Sequence, residues 1–269
     1  MRVEQRDDGM QLSNRITDIN GGGDDGWGVF NRARQLKNDG APIVELTQGE
    51  HDIGTHPDIL AAMNHSATGG NTGYAIVPGN RTLRETVAAR VQQRTGVPTT
   101  YENVIITPGG QSALFSTHNA VCDPGDTALF LEPYYATYPG TLRAVGAIPK
   151  AIQTRPEDAF QPRGADIAAV ADGATSLLIN SPNNPTGATI SLDDIYKVNQ
   201  AAKAQGAKLL VDHAYVEFAD DAPTAKLTPD ANIMIVRTFS KAWGLAGLRV
   251  GFLISPDAEF AVAVGGGGS

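Results

Sequence analysis

Seven short apolar, β-branched runs separated by helical stretches constrain this chain more than any other feature. They are Ile43–Leu46, Asn103–Thr107, Thr127–Leu131, Ser176–Asn180, Lys208–Asp212, Ile233–Arg237 and Arg249–Ile254. Their apolarity is continuous rather than alternating, which predicts strands covered on both faces, as in a mostly parallel sheet. Between them, Thr82 followed by Glu85 predicts a capping box, Leu83, Val87 and Val91 form one stripe, and Gly96 closes a helix. Gln111–Val121 and Leu192–Gln205 read as further helices, and Asp123-Pro124-Gly125-Asp126 as a turn. The alternation predicts an open α/β sheet whose functional groups stand at the carboxyl ends of the strands.

The chemistry-bearing residues do follow predicted strand ends. Gly109-Gly110-Gln111 comes after Thr107, Glu132-Pro133-Tyr134-Tyr135 after Leu131, and Ser181-Pro182-Asn183-Asn184-Pro185-Thr186-Gly187 after Asn180. Asp212-His213-Ala214-Tyr215 ends one run and Ser240-Lys241 follows Arg237. Backbone N–H groups where Gly109-Gly110 opens a helix suit a phosphate, although a Gly-Gly pair is also an ordinary strand-to-helix turn. Thr238, Ser240 and Arg249 could complete a phosphate cup; otherwise Arg249 is an interior arginine paired with a carboxylate. Lys241 beside such a cup suggests a Schiff base with a phosphorylated aldehyde. Asp212 is either a strand-end cap or a buried anion that needs a cation, and a protonated pyridine nitrogen would serve. Asn184 and Tyr215 can hydrogen-bond a phenolic oxygen on the same ring, and Tyr135 can stack on it or lie in the core.

Composition removes other classes. A net charge of −8 with no basic block argues against nucleic acid. No stretch approaches the ~20 apolar residues of a membrane span, and the charged first residues do not read as a signal peptide, which together predict a cytoplasmic protein. The one cysteine, Cys122, excludes an internal disulfide and reads as a buried structural residue. Gly265-Gly266-Gly267-Gly268-Ser269 has the composition of an added flexible linker.

Taken jointly, Asn-Asn-Pro-Thr-Gly, Asp-x-Ala-Tyr, and Ser-Lys followed by Gly-x-Arg-x-Gly resemble the fold-type-I, pyridoxal-phosphate-dependent aminotransferases of class I/II, the aspartate aminotransferase superfamily. The resemblance runs from about Leu46 to Ile254. It implies a three-layer large domain with a seven-stranded, mostly parallel sheet over 46–254, preceded by an arm and small-domain segment over 1–45 and followed by a tail over 255–269. It also implies that Lys241 binds pyridoxal 5'-phosphate covalently and then shuttles a proton. Asp212 pairs with the ring nitrogen, Asn184 and Tyr215 bond the ring oxygen, and Tyr135 stacks on the ring. Gly110 and Gln111 amides, Thr238, Ser240 and Arg249 hold the phosphate. Tyr74, in Asn71-Thr72-Gly73-Tyr74, matches a tyrosine lent to the neighbouring subunit of a homodimer. Gly49, in Thr47-Gln48-Gly49-Glu50, matches the glycine near the substrate carboxylate, and Asn184 also faces substrate. The activity implied is ping-pong transfer of an amino group from an L-amino acid to a 2-oxo acid, with no metal.

Two departures qualify that reading. His213 occupies a position often acidic in similar sequences, and strand alternation points it away from the ring. Beyond Ile254 the family continues into a C-terminal small domain carrying an arginine that clamps the substrate's carboxylate; that domain is expected to be absent here and the activity impaired. The first half resembles aspartate-like aminotransferases and the second histidinol-phosphate aminotransferases, so the latter activity is an alternative. A decarboxylase or lyase using the same cofactor, and a catalytically silent cofactor-binding fragment, are others.

Overall fold

The computed structural model describes residues 11–23, 27–47, 49, 52–219 and 232–266. The strands are β1 (Val104–Thr107), β2 (Thr127–Glu132), β3 (Ile148–Gln153), β4 (Ala174–Asn180), β5 (Lys208–Asp212), β6 (Ile233–Thr238) and β7 (Gly251–Ile254). They form one sheet in the order β1-β7-β6-β5-β4-β2-β3. β7 is antiparallel to β1 and β6, and all other pairings are parallel. The described helices are α1 (Asn14–Thr17), α2 (Trp27–Asn38), α3 (Pro57–Thr68), α4 (Arg81–Thr95), α5 (Gly110–Val121), α6 (Tyr138–Ala144), α7 (Gly164–Ala168), α8 (Leu192–Ala204) and α9 (Ala258–Gly266).

Period-2 alternation along each strand feeds two cores. Leu209, Val211, Ile233, Ile235 and Ile254 pack with Val87 and Val91 of α4 and Ile195 of α8. Leu210, Met234, Val236 and Leu253 pack on the other face with Leu114 of α5, Leu142 of α6 and Ala261 of α9. Each such aliphatic side chain, fully removed from water, contributes about 1.5–3 kcal/mol. This two-faced burial is why the central runs read as continuously apolar, and it makes the expected three-layer α/β architecture. No described helix is long and apolar enough to cross a membrane.

Several local expectations are corrected. Ile43–Leu46 is not a strand: Val44 and Leu46 are 86% and 87% exposed, and none of the sheet's strands pairs with this run. The seventh strand is instead β3, at the sheet edge beside β2. Its sequence hides it, because Lys150 and Pro149 interrupt the apolar pattern, and only an edge strand tolerates proline's missing N–H. α4 begins two residues earlier than the predicted capping box. Its cap is Asn80, whose side chain accepts from the Leu83 N–H at 3.3 Å, while Glu85 is engaged by Arg81 Nε at 2.8 Å. The predicted Val87–Val91 stripe and the left-handed Gly96 (φ 76°) are present. α9 takes in the first two glycines of the terminal run.

Candidate active site

The carboxyl ends of β1, β2, β4, β5 and β6 bring their polar residues to one side of the sheet. Asp212, the last residue of β5, is 6% exposed. Its Oδ2 accepts from the Tyr138 hydroxyl at 2.8 Å, and its Oδ1 accepts from the Ala214 N–H at 3.0 Å. Burial nonetheless pushes its carboxyl up to about 6, against the opposing pull of those two donors and of the Lys241 charge. A carboxylate held in place yet short of a counter-charge is a receptor for a buried cation. Asp212 fits both alternatives at once: its Oδ1 caps the strand end on the Ala214 N–H, and its carboxyl is a buried anion.

Next to it, Asn184 Nδ2 donates to the Tyr215 hydroxyl at 3.1 Å. Asn184 is anchored by its own N–H on Asn180 Oδ1 at 2.6 Å, and Asn180 Nδ2 reaches the Asp212 carbonyl at 3.0 Å. Lys241 lies across from this pair, with Nζ 5.4 Å from the Tyr215 ring centroid and 3.4 Å from the Gly49 carbonyl oxygen. Tyr135 meets Tyr138 edge to face at 5.7 Å. Tyr135, Asn184, Tyr215, Ser240, Lys241 and Gly49 share a cleft of about 1100 Å³.

A separate cradle forms where α5 starts. Gly109 has φ 83°, a left-handed conformation that suits glycine, and the first bond inside the helix is from the Ala113 N–H to the Gly109 carbonyl. The Gly110 and Gln111 amides therefore precede the intrahelical ladder and can serve an anion. A Cβ on Gly109 would run into the Arg249 guanidinium, and one on Gly110 would lie 3.5 Å from Thr238 Cβ. Thr238 Oγ1 in turn bonds Ser240 Oγ at 2.8 Å and accepts from the Ser240 N–H at 3.0 Å. Arg249, itself left-handed at φ 51°, donates only to the Ala246 carbonyl and is exposed, so it is not an interior arginine with a carboxylate. The Gln111 side chain is spent on Thr137 and Thr141, which leaves its backbone amide as the anion donor.

The structure thus brings together eleven of the twelve sequence-derived positions and leaves one apart. Tyr74 is fully exposed and lines no part of the cleft. His213 is buried on the opposite face, as alternation predicts, and Cys122 is buried with its thiol held above the usual range by desolvation. Four contributors were missed. Tyr138 carries no motif, although it stands one helical turn from Tyr135; Asn180 looked like the end of a strand; and Trp27 and Phe30 reach the cleft from α2.

These residues fit pyridoxal phosphate: an anion cradle too tight for side chains at Gly109, a carboxylate awaiting a cation, a donor pair for a phenolic oxygen, and an amine within the same cleft. A strand-end cofactor site on a three-layer sheet, with a lysine amine as its reactive group, defines a class of enzymes that work on amines and carbonyls. The chain belongs to the aminotransferase class I and II family, whose model matches residues 41–264. Members of that family use pyridoxal phosphate. The chain is 34% identical over 232 residues to a probable aspartate/prephenate aminotransferase of Thermus aquaticus, covering 84% of this chain and 60% of the relative. It is 30% identical over 254 residues to an arginine–pyruvate transaminase of Pseudomonas aeruginosa, covering 93% and 65%. The aspartate aminotransferase of Thermus thermophilus, solved with maleate, superposes with a TM-score of 0.88 at 29% identity, over 97% of this chain and 68% of that one. The chain therefore spans about 60% of the length of the curated relatives it matches.

Proposed function

We propose that this chain binds pyridoxal phosphate and moves an amino group from an L-amino acid to a 2-oxo acid. The observation that carries the reading is the buried Asp212 carboxylate, fixed by Tyr138 and Ala214 and lacking a cation, in the same strand-end array as Lys241. When bound, the cofactor supplies an electron sink that makes the Cα–H bond of an attached amino acid acidic. Asp212 keeps a positive charge at the ring nitrogen, which sustains that sink. Asn184 and Tyr215 orient the ring through its oxygen. The α5 amides, Thr238, Ser240 and Arg249 hold the phosphate and fix the ring's position. Lys241 Nζ would take the Cα proton of the bound amino acid as general base, which needs an amine that is free to move; its one hydrogen bond among the described residues, to the Gly49 carbonyl, is long at 3.4 Å. Gly49, on the cleft wall beside it, stands where a substrate carboxylate would arrive.

The full exposure of Tyr74, with Ile76 and Val77 exposed beside it, supports a homodimer in which each chain lends Tyr74 to the other's phosphate. The donor and acceptor follow from side chains beyond those that hold the cofactor.

The test is reconstitution. Protein mixed with pyridoxal phosphate is reduced with borohydride, digested, and mapped by mass spectrometry. The label is expected on Lys241 and is expected to vanish in Lys241→Ala. A second portion receives L-aspartate or L-glutamate and is assayed for the aminated cofactor and the 2-oxo acid. Fixation without amination would leave a cofactor-binding fragment, and no fixation would refute the reading.

A further inference from the structure

β5 and β6 serve two faces at once. Asp212 turns toward α6 and the cofactor cleft, whereas His213 turns toward α4, as does Arg237, whose guanidinium carbon lies 5.9 Å from the Phe252 ring centroid. On that rear face lies a second cavity of about 430 Å³ with an apolar floor that includes Val91, Ile235 and Phe252. Its polar lining holds three arginines, Arg90, Arg94 and Arg237, beside the neutral Gln93, Thr95, Thr238 and His213, with Glu217 as the one acid among the described lining residues.

That acid is already engaged, because Glu217 pairs with Arg237. Arg90 and Arg94 stand four residues apart on α4, a like-charge spacing that costs a helix a few tenths of a kcal/mol. Among the described residues no carboxylate pairs with either; Arg90 instead lies 5.2 Å from the Trp243 ring centroid. His213 is 2% exposed, and its Nε2 has no hydrogen-bond partner. An unpartnered buried nitrogen is costly, and His213 is one of the residues around this cavity. Desolvation first, then Arg237 and Arg94, hold this imidazole down at about 3, so it is neutral.

We propose that this rear cavity binds a small organic anion with an apolar body, an aromatic or branched aliphatic monocarboxylate. Its carboxylate pairs with Arg90 and Arg94, and its hydrocarbon covers Val91, Phe252 and Trp243. The volume suits a ligand of this size, and the mixed lining selects against both inorganic anions and neutral hydrocarbons. The cavity shares Thr238 with the phosphate cradle, but the inference does not rest on the cofactor reading.

Tryptophan fluorescence tests it. The chain has two tryptophans, Trp27 and Trp243, so Trp27→Phe leaves Trp243 as the sole reporter, and the titrant is benzoate, first without and then with saturating pyridoxal phosphate. We expect a saturable response, at least tenfold weaker in Arg94→Gln, and no response to benzyl alcohol. Arg94 is exposed, so that variant folds. An unsaturable response, an unchanged affinity in Arg94→Gln, equal binding of benzyl alcohol, or loss of the response when pyridoxal phosphate is added would each overturn the proposal.

Discussion

The Tyr138 hydroxyl donates to Asp212 Oδ2 at 2.8 Å from a fully buried position between α6 and the end of β5. This bond favours the charged form of Asp212 against its burial, while burial first, then the Asp212 charge and this bond, hold the Tyr138 hydroxyl well above the usual phenol range. Removing it by Tyr138→Phe should push the Asp212 carboxyl above its present value of about 6 and weaken cofactor binding near neutral pH by about tenfold, the worth of one hydrogen bond to a charged group. Pyridoxal phosphate titrations at pH 6 and pH 8 check this; a larger loss at pH 6 is expected.

Asp212→Asn should act oppositely on stability and binding. In the cofactor-free protein the carboxyl titrates at about 6 rather than its ordinary 3.8. The unfolded chain therefore holds fewer protons than the folded one between those values, and stability falls as pH rises through that window, by about 3 kcal/mol in full. The asparagine variant lacks this penalty. Denaturant unfolding at pH 8 should show it to be more stable than the parent without cofactor, while cofactor affinity falls by at least tenfold.

Two buried histidines set the acid limit. Burial holds His118 at about 4 and His213 at about 3, below the ordinary 6.5. As pH falls below 6.5 the unfolded chain takes up protons that these imidazoles refuse, so stability is lost on acidification, each group adding a slope of about 1.4 kcal/mol per pH unit. Asp212 opposes this with one proton between pH 6 and 4. Unfolding free energies across pH 4–7 should decline on the acid side, and His213→Phe should flatten the decline.

Gly251 tests the cradle without touching its donors. A Cβ there would stand 2.5 Å from the Gly109 carbonyl carbon and 2.7 Å from the Gly110 nitrogen, both backbone atoms. Gly251→Ala must push the start of α5 away from β7. A loss of about 2–4 kcal/mol is expected from such overpacking, together with weaker binding of inorganic phosphate, measured by calorimetry.

Much of this was legible in the chain. The central strands announced themselves because residues buried on both faces must all be apolar, and the polar residues after them were candidate site residues because the fold places strand ends together. What was illegible depended on partners distant in sequence. β3 is masked by Pro149 and Lys150, and Ile43–Leu46 has a strand's composition but no neighbouring strand to pair with. The α4 cap shifted from Thr82 to Asn80 because Arg81 claims Glu85.

The amino-acid sequence by itself determined the layered α/β class, the cofactor motifs and the residues that carry them, since periodicity and local turn chemistry act over a few residues. The tertiary structure alone decided that Tyr138 holds Asp212, that Asn180 braces Asn184, and that three arginines and His213 gather behind the cofactor face. Those relationships join residues from 4 to about 150 positions apart, and only the packing of α4 and α6 against the sheet sets the distances over which a hydrogen bond or a charge can act.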